Sequence, residues 1–269
     1  MKTFLRYVIL VVGAVVFAYP FLWMIAGSFK PELEIRGFGL WSEQFSLHSY
    51  QAVLTKIPIG RALLNSLIVS GATTASVILF GSMVGYALSR LSFVGGKALY
   101  TLILITMMIP FQIVLIPQYI LMVKLGWTDT YLGLVAPTVM SAFSIILFRQ
   151  FFMAIPQGLL DAARLDGASD LTILFRVIWP LSRPVMVTVA ILTFMTSWNE
   201  VLWPLLVVRE RSLMTMPQIV TIFTTGGEAE AQLGSLLAAA TLLALPVIVA
   251  YAFFQRYFIE SMATTGLKG

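Results

Sequence analysis

Long apolar stretches alternate with short polar ones along this chain. Six apolar blocks stand out, at residues 7–27, 63–88, 99–123, 132–152, 185–208 and 236–258. Each is close to the roughly 20 residues that an α-helix needs to cross a bilayer core about 30 Å thick. Aromatic residues sit near block ends, among them Tyr19, Trp23, Tyr100, Trp127, Tyr131, Trp203 and Tyr257. Amphipathic rings prefer that level of a membrane. The pattern predicts an all-α integral membrane protein: six transmembrane helices in a single domain over residues 1–269. The opening "MKTFLRYVIL" has the charge of a secretory signal. However, the apolar run that follows is longer than a typical h-region of about 7–15 residues, so it reads as an uncleaved first span.

Composition strengthens this reading. The chain is 59% hydrophobic and only 11% charged. An average soluble domain carries about 25% charged residues, and too few remain here to cover a water-facing surface. The net charge of +5 fits Lys and Arg in cytoplasmic loops better than a nucleic-acid surface, so no nucleic-acid partner is expected. With the N-terminus inside, the inner segments hold ten Lys and Arg and the outer segments seven. That bias predicts a multi-pass protein of the cell inner membrane, lipid on its flanks and both termini cytoplasmic. There is no cysteine, which excludes disulfides and thiolate chemistry.

The most polar run in the second half is "DAARLDGASD", residues 161–170. It lies on the predicted cytoplasmic side, in a loop over residues 156–183. Pro156 stops the fourth span, and residues 159–165 can form a short helix. Asp161 suits the positive end of that helix and can pair with Arg164 three residues on. Ala162 and Ala163 let another surface approach closely. Gly167 stands where a helix end wants a left-handed residue, and Ser169 is a good cap for a second helix with Asp170 in its first turn. Leu171, Leu174, Phe175 and Ile178 give that helix an apolar face, and Trp179 and Pro180 end it. A plain connector needs only about 2–8 residues. Two capped helices suggest a docking element for a cytoplasmic partner.

The segment "DAARLDGASDLTILFRVIWPLSRP" resembles the EAA loop of membrane subunits of binding-protein-dependent ABC importers. The family pattern falls on Asp161, Ala162, Ala163, Gly167, Val177, Trp179 and Pro180, with Asp for Glu, Val for Ile and Trp for Leu. "FRQFFMAIPQGLLDAARLDGAS", "SWNEVLWPLL" and the ending "TTGLKG" resemble the carbohydrate-type branch, the maltose and glycerol-phosphate importer relatives. The resemblance implies a permease subunit, not an enzyme. Its ATPase-coupling residues would be Asp161, Ala162, Ala163, Arg164, Gly167, Val177 and Pro180. It implies a second permease, a paralogue in a heterodimer, two ATPase subunits and an extracytoplasmic solute-binding protein. The chain itself would hold no cofactor; ATP and Mg would be bound by the partner ATPase. The outer loops, residues 29–62 and 209–232, would face the binding protein.

The residues agree on where energy enters. Ion-driven carriers usually keep acids or His within their spans. The second, third, fourth and sixth blocks have none, which argues against the alternative, an ion-coupled secondary transporter. No GxxxxGK[ST] nucleotide loop occurs either. An intramembrane hydrolase lacks a paired base. For the solute path, Trp198, Asn199 and Glu200 offer an aromatic face beside hydrogen-bonding groups, which suits a sugar ring. Gln112 is a further candidate. It lies between Pro110 and Pro117, which predict a kinked third span. Gly81-x-x-x-Gly85 permits close helix contact, with the partner permease or within this subunit.

Overall fold

A computed structural model describes residues 2–35, 39–42, 44–225 and 232–266; the side chains of residues 2, 250, 251 and 253–266 are excepted. Arg36, Lys268, the rest of the final "LKG", and the outer loop except Gln232 within 226–232 therefore lie outside the described residues. The described residues form helices and turns, with no strand. In chain order the helices are α1 (Lys2–Ser28), α2 (His48–Lys56), α3 (Ile59–Arg90), α4 (Gly96–Thr106), α5 (Phe111–Leu125), α6 (Tyr131–Val135) and α7 (Ala142–Met153). Then follow α8 (Gln157–Leu165), α9 (Asp170–Thr172), a π-helical stretch (Ile173–Ile178), α10 (Trp179–Leu181), α11 (Arg183–Trp198), α12 (Leu202–Val207), α13 (Met216–Thr225) and α14 (Leu233–Gly266).

Two helical stretches can cross a bilayer unbroken, Thr3–Ser28 and Ile59–Arg90. Three bent pairs can each cross as a broken span. The pair α4 and α5 bends by 101°. Pro110 sits at the break as the residue before α5, with φ −60° and ψ 134°. Proline lacks an N–H and pushes its predecessor out of the helical region, so the break falls there. Pro117 lies inside α5. The expected kink of the third span is thus a full corner, and it belongs to the first proline. A 47° bend separates Tyr131–Thr138 from α7, and an 85° bend separates Asp170–Leu181 from α11. In the last helix the fully described apolar stretch covers Leu233–Val249.

The chain divides into two compact units, residues 1–63 with 216–252 and residues 64–215 with 253–269. In the first unit, α1 is exposed along most of its length; Phe4, Ile9, Val16 and Phe17 are all more than 60% exposed. A helix apolar all round and bare of protein belongs in lipid. The segment between α1 and α2 makes ring contacts. Phe29 stacks on Phe45 at 5.0 Å and tilts against Tyr50 at 4.8 Å. The Glu32 carboxylate accepts hydrogen bonds from the backbone of Leu233 (2.6 Å) and Gly234 (3.0 Å), two of the free N–H groups at the start of α14. Gly234 brings the helix start close to α2: a Cβ there would lie 2.5 Å from Ser49 Oγ, which would have to turn aside. His48 opens α2 on the exposed surface, in keeping with a solvated role.

The second unit has two buried clusters. One gathers Val77, Tyr86, Phe148, Phe152, Leu160, Ile173 and Ile178. The other gathers Val69, Met122, Leu134, Trp203 and Val207. The paired glycines of α3 serve packing within this unit. A Cβ on Gly85 would lie 2.8 Å from Phe148 Cβ and 3.1 Å from the Arg149 backbone N, so α7 crosses α3 at that point.

Candidate functional site

The loop of residues 156–183 folds as its residues dictate. Pro156 precedes α8, which begins at Gln157 rather than at residue 159. Asp161 therefore sits mid-helix, away from the dipole's positive end. It still pairs with Arg164, at 3.6 Å, and accepts a 3.0 Å hydrogen bond from Gln157. Leu160 is fully buried and Ala163 is half-buried against the same cluster. Asp161, Ala162 and Arg164 face outward, as does Leu165, which is 89% exposed. Of the two alanines, Ala162 is thus the one open to a partner, and Ala163 packs inward.

Gly167 ends the turn with φ +80°. That left-handed conformation is costly for any residue with a Cβ, above all a β-branched one. Ser169 then caps the next helix, its hydroxyl accepting from the Thr172 N–H at 3.3 Å. The expected apolar face shifts. Ile173, Leu174 and Ile178 are buried, whereas Leu171 is 56% exposed. The cause is the π-helical stretch, whose i→i+5 bonding brings residues five apart onto one face. Val177 is half-buried against the cluster and Pro180 is exposed. The helix runs on through Trp179 and Pro180 to Leu181, then turns at Ser182 into α11. Trp179 Nε1 donates to Ser82 Oγ on α3 at 3.1 Å.

A polar network ties this loop to α3. Arg90 Nη2 donates to the carbonyls of Phe152 and Ile155, and its Nη1 donates to Gln157 Oε1 at 2.8 Å. One turn earlier, Tyr86 donates to Asp170 Oδ1 at 2.8 Å, and Arg164 reaches the same oxygen at 3.3 Å. Sequence reading missed Tyr86, Arg90 and Gln157. The available signal was the pair Tyr86 and Arg90, four apart at the end of a span.

The second feature is a cavity of about 1140 Å³ within the same unit. Helices α3, α5, α7 and α11 and the breaks after α6 and α11 line it. Thr193, Thr196, Ser197 and Glu200 reach it from one face, at i, i+3, i+4 and i+7. Gln118, Thr73, Thr138 and Ser141 add hydrogen-bonding groups between Phe111, Phe143 and Trp203. Glu200 is the one charged residue on the described wall. Its Oε1 accepts from the Trp203 N–H at 3.1 Å, which caps α12 after the break at residues 199–201. That break comes before Pro204, which lies inside α12.

The four residues expected along the solute path are therefore separated. Glu200 borders the cavity. Trp198 is buried, stacks on Phe194 at 5.7 Å, and leaves its indole N–H without a partner. Asn199 is exposed and donates to the Met195 carbonyl at 2.8 Å. Gln112 is exposed and off the cavity wall; Gln118, six residues on, lines it. The hydroxyl stripe was legible as a helical period in "TFMTSWNE", but the eye goes first to its aromatic.

An all-helical apolar unit that carries a capped surface loop and a cavity walled by hydroxyls and aromatics has the build of a membrane transport component. Residues 77–264 match the family described as binding-protein-dependent transport system inner membrane component, and the chain belongs to it. It is similar to the arabinooligosaccharides transport system permease protein AraQ of Halalkalibacterium halodurans, 34% identical over 95% of this chain and 93% of that protein. It is 31% identical to the trehalose/maltose transport system permease protein MalG of Thermococcus litoralis, over 98% of each chain. Among solved structures it resembles a chain of a bacterial ABC transporter involved in the import of the acidic polysaccharide alginate. The TM-score is 0.82 and the identity 25%, covering 96% of each chain. The chain is a permease component of an ABC importer and not an enzyme.

Proposed function

We propose that this chain is one permease subunit of an ATP-driven importer of a sugar or sugar-like solute, and that α8 couples closure of the ATPase to alternating access. In this reading residues 1–269 form one transmembrane domain of six spans, with both termini and α8 on the cytoplasmic side. Three of the six are the broken pairs, and α14 supplies the last. A second, paralogous permease completes the path. Two ATPase subunits bind ATP and Mg and dock on α8. A solute-binding protein meets the outer loops. The sugar class rests on the relatives named for arabinooligosaccharides and for trehalose and maltose, and on a cavity whose hydroxyls and aromatic faces match a sugar's rim and ring.

The observation that carries the reading is the geometry of α8. Its inner face is anchored by Leu160, its outer face offers Ala162 beside Asp161 and Arg164, and Gly167 turns the chain back at φ +80°. A small-residue helix surface held rigidly from behind suits a cleft in a partner. The test is solute uptake by the cognate complex in proteoliposomes. Uptake should be blocked by vanadate and lost when the ATPase subunits are omitted. Uptake driven by an ion gradient without ATP would favour the secondary-transporter alternative instead.

A further inference from the structure

We infer that α3 is the rod that carries motion from α8 to the cavity, and that Tyr86 and Arg90 are the positioning residues that fasten α8 to it. The inference rests on the coupling reading above and names how that coupling reaches the solute path.

The attachment is two-point. Arg90 takes hold at the start of α8. Its guanidinium binds Gln157 and the carbonyls of Phe152 and Ile155, at the C-terminal end of α7 and the turn after it. Tyr86 takes hold beyond the far end of α8, through Asp170, which also binds Arg164. One contact would let α8 pivot; two contacts a turn apart on α3 fix its direction as well. Arg149 reinforces the joint from α7. Its Nε donates to the Leu88 carbonyl at 3.3 Å while its guanidinium lies 4.2 Å from the centre of the Tyr100 ring.

The other half of the argument is the rod itself. Helix α3 runs unbroken from Ile59 to Arg90, whereas the three helix pairs that follow it are bent by 47° to 101°. Val69, Thr73 and Val77 on α3 line the cavity. At about 1.5 Å per residue, Thr73 stands roughly 25 Å along the helix from Arg90. A displacement of α8 thus arrives at the cavity wall without crossing a hinge.

The chain has no cysteine, so Thr196→Cys puts one thiol on the cavity wall. The experiment uses the full complex with its partner permease, ATPase subunits and binding protein in proteoliposomes. It reads the rate of maleimide labelling with and without ATP and vanadate, so no transported solute is needed. Tyr86→Phe and Arg90→Lys are then introduced separately, and ATPase retention is measured for each. The expected result is a labelling rate that responds to ATP–vanadate in the parent. In each variant that response should shrink about fivefold or more while the ATPase stays bound. An undiminished response in both variants overturns the inference and leaves the coupling reading standing. So does a response that falls only in step with lost ATPase, since that is a merely structural role. A parent that does not respond at all overturns the coupling reading, and this inference with it.

Discussion

The loop of residues 156–183 and the cavity lie in one unit, are both in contact with α3, and hold their polar groups in different ways. Around α8 the charged groups bind one another. Arg90, Gln157, Asp161, Arg164, Asp170 and Tyr86 form one continuous chain of contacts. Around the cavity several polar groups turn to their own segments, although Thr73 also meets Thr138 across helices at 3.3 Å. Thr138 bonds to the Val135 carbonyl, Ser141 caps its own helix, and Glu200 caps α12. The first arrangement fixes one geometry; the second ties the wall groups mainly to their own segments. In the proposed reading the first is the stiff point where force is applied and the second the more compliant wall where the solute passes.

The largest effect should come from breaking the stiff side. Gly167→Val forces a β-branched residue into a left-handed turn, a strain of about 1–3 kcal/mol. In complexes whose assembly is verified, uptake per ATP hydrolysed should fall by about tenfold or more. Wild-type values for both activities would remove this glycine as a required turn. Next comes the joint beside the cavity. A Cβ on Gly133 would lie 2.2 Å from the Trp127 carbonyl oxygen and 2.9 Å from Val207. Gly133→Ala should destabilise the unit by about 1–3 kcal/mol, seen as a lower unfolding midpoint in detergent. An unchanged midpoint would mean that this approach is looser than its geometry.

A smaller effect is expected at the compliant wall. Glu200→Ala removes a cavity carboxylate and the cap on Trp203, whereas Glu200→Gln keeps an acceptor for that N–H. If the carboxylate meets solute, both should raise the solute concentration for half-maximal uptake, by several-fold given about 1.5–3 kcal/mol for a charged hydrogen bond. If it serves only as a cap, Gln should restore wild-type kinetics. Asn199→Ala, off the wall, should change half-saturation little.

These predictions show where sequence and structure part. The loop was legible because its chemistry is local. Gly167 acts at its own backbone, and Asp161–Arg164 and Ser169–Thr172 each act across three residues; each appears where the sequence puts it. The choice between Ala162 and Ala163 was not legible. It depends on which face meets Leu160 and the π-helical stretch, and a π turn shifts the helical period used to read faces. The prolines announced a break in the third span, but not its 101° angle, which tertiary packing sets. The cavity was half legible. Glu200 was picked out for its charge, while Thr193, Thr196 and Ser197 looked like ordinary hydroxyls of a spanning helix. Trp198 was misleading because an aromatic near a helix end packs inward as readily as it faces a path.

The smallest expected effect lies at Asp129. The backbone N–H groups of Glu210 and then Arg209 hold its carboxyl below the ordinary value of 3.8. A carboxylate with a lowered pKa contributes its full stability above the unfolded value. It loses that contribution as pH falls through the folded one. Asp129→Asn should therefore flatten the decline of the unfolding midpoint below pH 3.8 and lower the midpoint slightly at neutral pH. An acid decline as steep as in the parent would assign the sensitivity to other carboxylates.

The central claim, that the outward face of α8 is where the ATPase engages, is tested most directly at Ala162. Ala162→Trp adds a large side chain on the exposed side of α8, and Leu160, on its buried side, is left untouched. The measurement is recovery of the ATPase subunits with the affinity-tagged permease complex, normalised to the amount of folded permease. The account predicts that recovery falls several-fold or more while the permease pair itself stays assembled. Recovery equal to wild type would contradict it and place the ATPase contact elsewhere.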